Sequence, residues 1–254
     1  MLPYPNQALQ QHLFVLARSD TPREAAAAAS AQLLDGIRRD EMAPYYRLLL
    51  DDAALRRVVP QDKGLLEELQ RKNDAEFARL DEAQRQAEES EGDLELHTVL
   101  KQRAAYMARI GDKPRALAAH QEALEKATGL GSKIDLTLTK IRLGLFFGDA
   151  ELTQASMASA AQLIEEGGDW DRRNRLTAYR AVYLASVRDF SEAARLFFQA
   201  LSTFTATELI DYEDFVKLTV LMGMVTFERR DLKKLMESPE VLGMIDEIPH
   251  LRTF

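Results

Sequence analysis

The stretch Arg109–Leu124, "RIGDKPRALAAHQEAL", decides the fold because it returns. Its counterpart is Ser186–Leu201, "SVRDFSEAARLFFQAL". A partial copy, "FFGDAELTQASMASAA", lies between them at Phe146–Ala161, and a degenerate fourth, "ERRDLKKLMESPEV", covers Glu228–Val241. The turn aspartates Asp112, Asp149, Asp189 and Asp231 are 37, 40 and 42 residues apart. A period of roughly 34 to 47 residues is the length of a helix, a turn and a second helix that stack as a solenoid. Ala116 and Ala193 lie four residues past their aspartates, with Ala123–Leu124 and Ala200–Leu201 eleven and twelve past them. Small side chains there let the helices of one hairpin approach closely, while His120 and Phe197 fill the space toward the next hairpin. Each aspartate can cap the second helix, and Asp189 with Glu192 has the spacing of a capping box.

The repeat resembles the tetratricopeptide pattern, and the fold expected is all-α. An α-solenoid of tetratricopeptide-like hairpins occupies residues 91–254, preceded by an N-terminal helical region over residues 1–90. In that region Thr21 is the expected cap of a helix with Pro22 at its first position and Glu24 closing a capping box. "MAPYYRLLLDD" opens another helix at Pro44. From Gly64 to Glu89 the row Leu69, Asn73, Phe77, Leu80 and Ala87 makes a narrow stripe on a charged helix. The acidic run Ala87–Asp93 reads as a solvated linker between the two regions.

Composition limits the partners. The 254 residues carry a net charge of −8, which disfavours general attraction to nucleic acid or an anionic membrane and leaves room for a local basic patch. No cysteine is present, so disulfides, thiolate metal sites and cysteine nucleophiles are excluded, and a reducing intracellular compartment fits. The longest apolar runs, such as His12–Ala17, are far shorter than the roughly 20 residues that span a bilayer.

Catalytic constellations are missing as well. His12, His97, His120 and His250 have no metal-ligand spacing. "TGLGSK", Thr128–Lys133, lacks the spacing of a phosphate loop and reads as a helix stop with Gly129 near the C-cap. Adjacent carboxylates such as Glu165–Glu166 and Asp51–Asp52 point apart on a helix, so a site would need two helices to converge. A carboxylate clamp for peptide C-termini would use Lys101, but Ala105, Arg142 and Tyr179 do not complete it. Phe215, Met222, Met224 and Phe227 read as core rather than as a ligand groove. The expectation is no catalytic residue, no metal and no cofactor.

One stretch stands apart: "EEGGDWDRRNRL", Glu165–Leu176, sets the only tryptophan and three arginines directly after a double glycine. Asp169 or Asp171 can cap a helix starting here. Arg172, Arg173 and Arg175 then sit at the positive end of a helix dipole, which costs a few tenths of a kcal/mol each unless an anion answers them. The expected anions are acids of the preceding hairpin, Glu165 and Glu166 among them; the alternative is an acidic partner. Trp170 is expected to pack against a neighbouring hairpin, the alternative being an exposed interface anchor.

Six stretches, in order, carry a resemblance: "MAPYY" (Met42–Tyr46), "RIGDK" (Arg109–Lys113), "LIEEGGDWDRRNRL" (Leu163–Leu176), "RDF" (Arg188–Phe190), "STFT" (Ser202–Thr205) and "ELIDYEDFV" (Glu208–Val216). Together they resemble the family of non-ATPase subunit seven of the proteasome regulatory-particle lid. The related first subunit of the signalosome shares the solenoid plan. The resemblance implies a non-catalytic scaffold for ubiquitin-dependent degradation, in the cytoplasm and nucleus. Its partners would be other lid subunits, the ATPase ring and a small, very acidic, mostly disordered subunit. The lid's metalloprotease activity belongs to a different chain of the family's particle. In the family the helical arm leads into a PCI module with a winged helix; here the sequence reaches Phe254 without a winged-helix stretch, so the arm without that module is expected. Candidate interaction residues are Trp170, Arg172, Arg173 and Arg175. Two other classes are a free-standing tetratricopeptide adaptor, which needs a groove with paired Asn and Lys, and an enzyme, which needs a deep pocket of clustered carboxylates.

Overall fold

Every regular element is helical among the described residues, 2–90, 92–249 and 251 of the computed structural model. The chain divides into two compact units, at residues 2–148 and from residue 149 on.

The first unit holds α1 (Ala8–Ala17), α2 (Arg23–Arg39), α3 (Ala43–Asp51), a 3₁₀ turn (Leu55–Arg57), α4 (Lys63–Glu89), α5 (Asp93–Arg109), α6 (Lys113–Lys126) and α7 (Leu130–Phe146). Consecutive helices pack in pairs, most extensively α5 with α6 and α1 with α2. The stripe of α4 faces inward as its spacing requires: Leu69, Asn73, Leu80 and Ala87 are buried and Phe77 is half-buried. Its wet side is laced by ion pairs such as Glu68–Lys72 and Glu82–Arg85. Pro44 opens α3, where a missing N–H is harmless. Leu33, Ile37, Tyr45, Tyr46, Leu49, Leu69 and Phe146 belong to one core, with the Tyr45 and Phe146 rings 4.9 Å apart. The Tyr46 hydroxyl donates to the Pro60 carbonyl at 2.5 Å and accepts from the Asp62 N–H at 2.8 Å, so its burial leaves no polar atom stranded.

At Gly111, between α5 and α6, the backbone adopts φ +72°, and an added Cβ would lie 2.7 Å from the Cβ of Tyr45. Only glycine meets both demands, a left-handed turn and close approach to α3.

The second unit holds α8 (Ala150–Glu165), α9 (Trp170–Ser186), α10 (Phe190–Leu201), α11 (Tyr212–Thr226), α12 (Arg229–Met236) and α13 (Pro239–Gly243). Helices α9 and α10 form a tight hairpin, and α10 packs on α11. Ala193 and Ala200 are buried on the α10 face, as Ala116 and Ala123 are on α6. Phe197 reaches the next helix, its ring 5.0 Å from that of Phe215 on α11. Within each unit the elements are the paired helices of the α-solenoid class.

Asp112, Asp149 and Asp189 cap α6, α8 and α10, accepting the N–H of Arg115, Leu152 and Glu192 at 3.2, 2.9 and 3.3 Å. Several local expectations are corrected. Thr21 does not cap α2; its hydroxyl donates to the Val15 carbonyl at 2.7 Å, satisfying an acceptor at the open end of α1, and α2 starts at Arg23 with Pro22 just before it. The Glu192 carboxylate does not close a box at Asp189, because Arg195 binds it at 2.5 Å and 2.8 Å. Gly129 precedes α7 as its N-cap residue rather than ending α6, which stops at Lys126. Asp231 sits inside the first turn of α12, paired with Lys234, not at a cap. The residue before α12 is Glu228, 39 positions past Asp189, which is closer to the other spacings. Met224 is exposed beside Leu221 and Val225, whereas Phe215 is core and Met222 and Phe227 are half-buried. The acidic run Ala87–Asp93 joins α4 to α5, which pack against each other, while Glu91 lies outside the described residues.

Candidate interaction surface

The double glycine is a geometric requirement of the turn that precedes α9. Gly167 has φ 143°, and a Cβ on Gly168 would come within 2.8 Å of the Ile164 backbone. The chain therefore leaves α8 by folding back on it, and Asp169 caps α9 by accepting the Arg172 N–H at 2.8 Å.

The arginines have separate fates. Arg172 pairs with the capping Asp169. Arg175 is bound by Asp171 at 2.7 Å and by Glu208, which is nearly fully buried, at 2.5 Å. The Tyr179 hydroxyl donates to the second oxygen of Glu208 at 3.0 Å, and Thr205 donates to Asp171 at 2.8 Å. This cluster fastens the segment between α10 and α11 to α9. Burial pushes the Asp171 carboxyl up, but hydrogen bonds from Arg175 and Thr205 outweigh it and hold the group below the usual carboxylate range. For Arg175 burial opposes the charge, and the bonds to Asp171 and Glu208 more than restore it. The anions that answer Arg172 and Arg175 are thus Asp169, Asp171 and Glu208. Glu165 and Glu166, the acids expected from sequence, are exposed, and Glu166 accepts instead from Gln162.

Arg173 differs. It is exposed and has no acidic partner among the described residues. Trp170 is 63% exposed, so the expectation that it packs against a neighbouring hairpin does not hold. It occupies the first position of α9, next to a cap that joins the Asp169 side chain to the Arg172 N–H. Sequence reasoning missed Glu208, Thr205 and Tyr179, which lie more than a helix away in the chain or carry no motif. It also missed Arg180 and Arg188, both exposed, although Arg180 is seven residues past Arg173 and therefore on the same helix face.

Elsewhere the candidate groups are engaged. Arg142, weighed for a peptide clamp, is buried and donates to the carbonyls of Tyr4 at 2.9 Å and Leu2 at 3.0 Å. Lys101 is exposed on α5, and Tyr179 is committed to Glu208. A hollow of about 390 Å³ between α4, α5 and α6 contains Asp81 and Glu122, but Asp81 is bound by Arg103 at 2.5 Å and Glu122 accepts from Gln84 at 3.2 Å. His12, His97 and His120 lie on α1, α5 and α6, and His250 is outside the described residues. Among the described residues no three His, Asp or Glu side chains gather as a metal site, and no helix is long and apolar enough to cross a membrane.

Comparison with known proteins gives a family match and long alignments. The family model of the 26S proteasome subunit RPN7 matches residues 62–235, from the cap of α4 through most of α12. A 26S proteasome non-ATPase regulatory subunit 6 homolog of Arabidopsis thaliana is 37% identical over 251 residues, covering 98% of this chain and 64% of that protein. The 26S proteasome regulatory subunit RPN7 of Saccharomyces cerevisiae is 34% identical over 267 residues, 98% of this chain and 62% of the relative. The corresponding subunit of Schizosaccharomyces pombe is 37% identical over 216 residues, covering 85% of this chain and 54% of its own length. The chain thus spans less than two thirds of the relatives it matches.

Proposed function

Because the chain belongs to the RPN7 family of 26S proteasome subunits, we propose that it is a non-catalytic scaffold subunit of the regulatory-particle lid, supporting ubiquitin-dependent protein degradation through protein–protein contacts. The observation that carries this reading is the family match over residues 62–235, which runs through the helical hairpins of both units. Helical hairpins bury one face against each other and leave long outward surfaces for neighbours, which suits a scaffold. On this reading residues 1–90 form an N-terminal helical region and residues 91–254 the repeats. The partners are other lid subunits, the ATPase ring and a small acidic disordered subunit, in the cytoplasm and nucleus. Trp170 and Arg173 belong to the contact surface, while Arg172 and Arg175 hold the first turns of α9 in the shape that presents them.

The signalosome and the free-standing peptide adaptor have less support: the relatives aligned over nearly the whole chain are named as 26S proteasome subunits, and of the clamp positions Arg142 and Tyr179 are occupied by other partners. The test is reconstitution of a lid that lacks its own RPN7-family subunit. Adding the protein in its full-length form should complete the particle on native electrophoresis; a particle that stays incomplete overturns the proposal.

A further inference from the structure

The start of the chain is held by a side chain from the other end of the first unit. Arg142 on α7 is 1% exposed, and its guanidinium donates to the carbonyls of Tyr4 at 2.9 Å and Leu2 at 3.0 Å and to the Thr139 hydroxyl at 3.0 Å. Gln7 answers from the strap side, donating to the Arg142 carbonyl at 3.0 Å. Just past this strap, α1 lays Leu9, Leu13 and Leu16, spaced for one helix face, against the core that holds Leu33, Ile37 and Tyr45. Leu9 enters a notch at Gly36 of α2, where an added Cβ would overlap its Cδ2. Gln10 donates to the Tyr45 hydroxyl at 2.9 Å.

These are the contacts of a ligand in a groove more than those of a wall of the core. Within residues 2–17 only Pro5 and Leu9 are buried, whereas Leu2 and Phe14 are more than half exposed. A helix of ten residues is marginal by itself, so α1 keeps its shape only while docked. The linker to α2, residues 18–22, is mostly exposed. Release of the segment also returns the Arg142 guanidinium to water, which recovers the desolvation that its burial costs. A segment with few buried side chains and solvent-exchangeable anchors belongs to the low-stability end of a fold, which opens without the rest.

We propose that residues 2–17 are a tethered ligand, which leaves and returns as one unit while the other helices of the first unit stay folded, and that the groove it vacates takes an equivalent segment in trans. The groove is formed by α2, α3 and α7, and its ligand is an amphipathic helix with leucines at that spacing behind an extended, proline-containing strap. The Gly36 notch fixes the register of the helix, and Arg142 reads main-chain carbonyls of the strap, which any extended segment presents. A short tether holds its ligand at an effective concentration on the order of millimolar. The groove is therefore mostly filled in the intact chain, and weakening the tethered segment raises the affinity for a free one by the factor that opens the groove.

The experiment uses the full chain and a fluorescein-labelled peptide of residues 2–17. Leu9→Ala in the chain weakens the tethered segment and leaves the groove intact, so it should bind the labelled peptide at least about tenfold more tightly than the parent does. Gln7→Ala, which loses one strap bond, should gain about threefold. Gly36→Leu fills the notch with a good helix former and should bind no peptide, and a peptide carrying Leu9→Asp should bind none of the chains. The melting temperatures of the Leu9→Ala and Gln7→Ala chains should stay within several degrees of the parent's, because opening the segment costs less than unfolding the unit. Three outcomes overturn the proposal: an affinity for the free segment that rises in neither variant, equal binding of the Leu9→Asp peptide, or cooperative loss of the whole fold in both variants. None of these depends on whether the protein completes a proteasome lid.

Discussion

Arg175 shows how a residue that is unfavourable locally becomes necessary in the fold. In the first turns of an isolated helix its charge opposes the dipole. In the protein it meets Asp171 and Glu208 and, through Glu208, the Tyr179 hydroxyl. Removing one member of a buried ion pair leaves the other without its counter-charge, so Glu208→Ala should lower stability by about 2 to 4 kcal/mol, while Glu165→Ala should stay within about 0.5 kcal/mol of the parent; urea unfolding of the two variants checks both. Gly111→Ala is a second test at this scale. A left-handed alanine and a contact at 2.7 Å with Tyr45 should together cost about 2 to 4 kcal/mol, read as a lower urea midpoint. The sequence made the arginines visible as an anomaly, yet it could not name their partners. Glu208 is 33 residues past Arg175, and which acid meets which cation depends on how the segment between α10 and α11 closes.

Helices were the most legible level. Capping aspartates, the N-terminal proline of α3 and the stripe of α4 all act through neighbours within a few residues, so the signals survive in a linear reading. Errors fell where a side chain had a competing partner close by: Thr21 serves the end of α1, and Glu192 serves Arg195. The second helix of the α5–α6 hairpin also carries a pH response. Burial pushes the His120 imidazole down, opposed by its Nδ1–H bond to the Ala116 carbonyl, from an ordinary 6.5 to about 4. Between those values the unfolded chain binds more protons than the folded one, so stability falls as the pH drops through that window. Going from about pH 7.5 to about pH 5 should cost about 2 kcal/mol from this residue. Phe197 occupies the equivalent place on α10, so His120→Phe should fold and lose that part of the pH dependence. Melting curves of both proteins at the two pH values measure the difference, and an equal acid loss in the variant counts against the assignment.

For the whole molecule, the repeat predicted from four aspartates became paired helices in each of two compact units, and the resemblance seen in short stretches became a family match over residues 62–235. Surface function was less legible, because exposure is a property of packing: no spacing in "GGDWDRRNRL" says that Trp170 faces solvent while Arg175 turns inward. On the proposed function this chain works by holding other proteasome subunits and not by chemistry of its own. Affinity purification of the protein, tagged at its natural locus, with quantitative mass spectrometry of the recovered material tests that claim most directly. Lid subunits recovered in near-equal amounts with the tagged protein, and dissociating from it as a particle, are the predicted result. Recovery of the protein alone, or with partners that include no proteasome subunit, would contradict it.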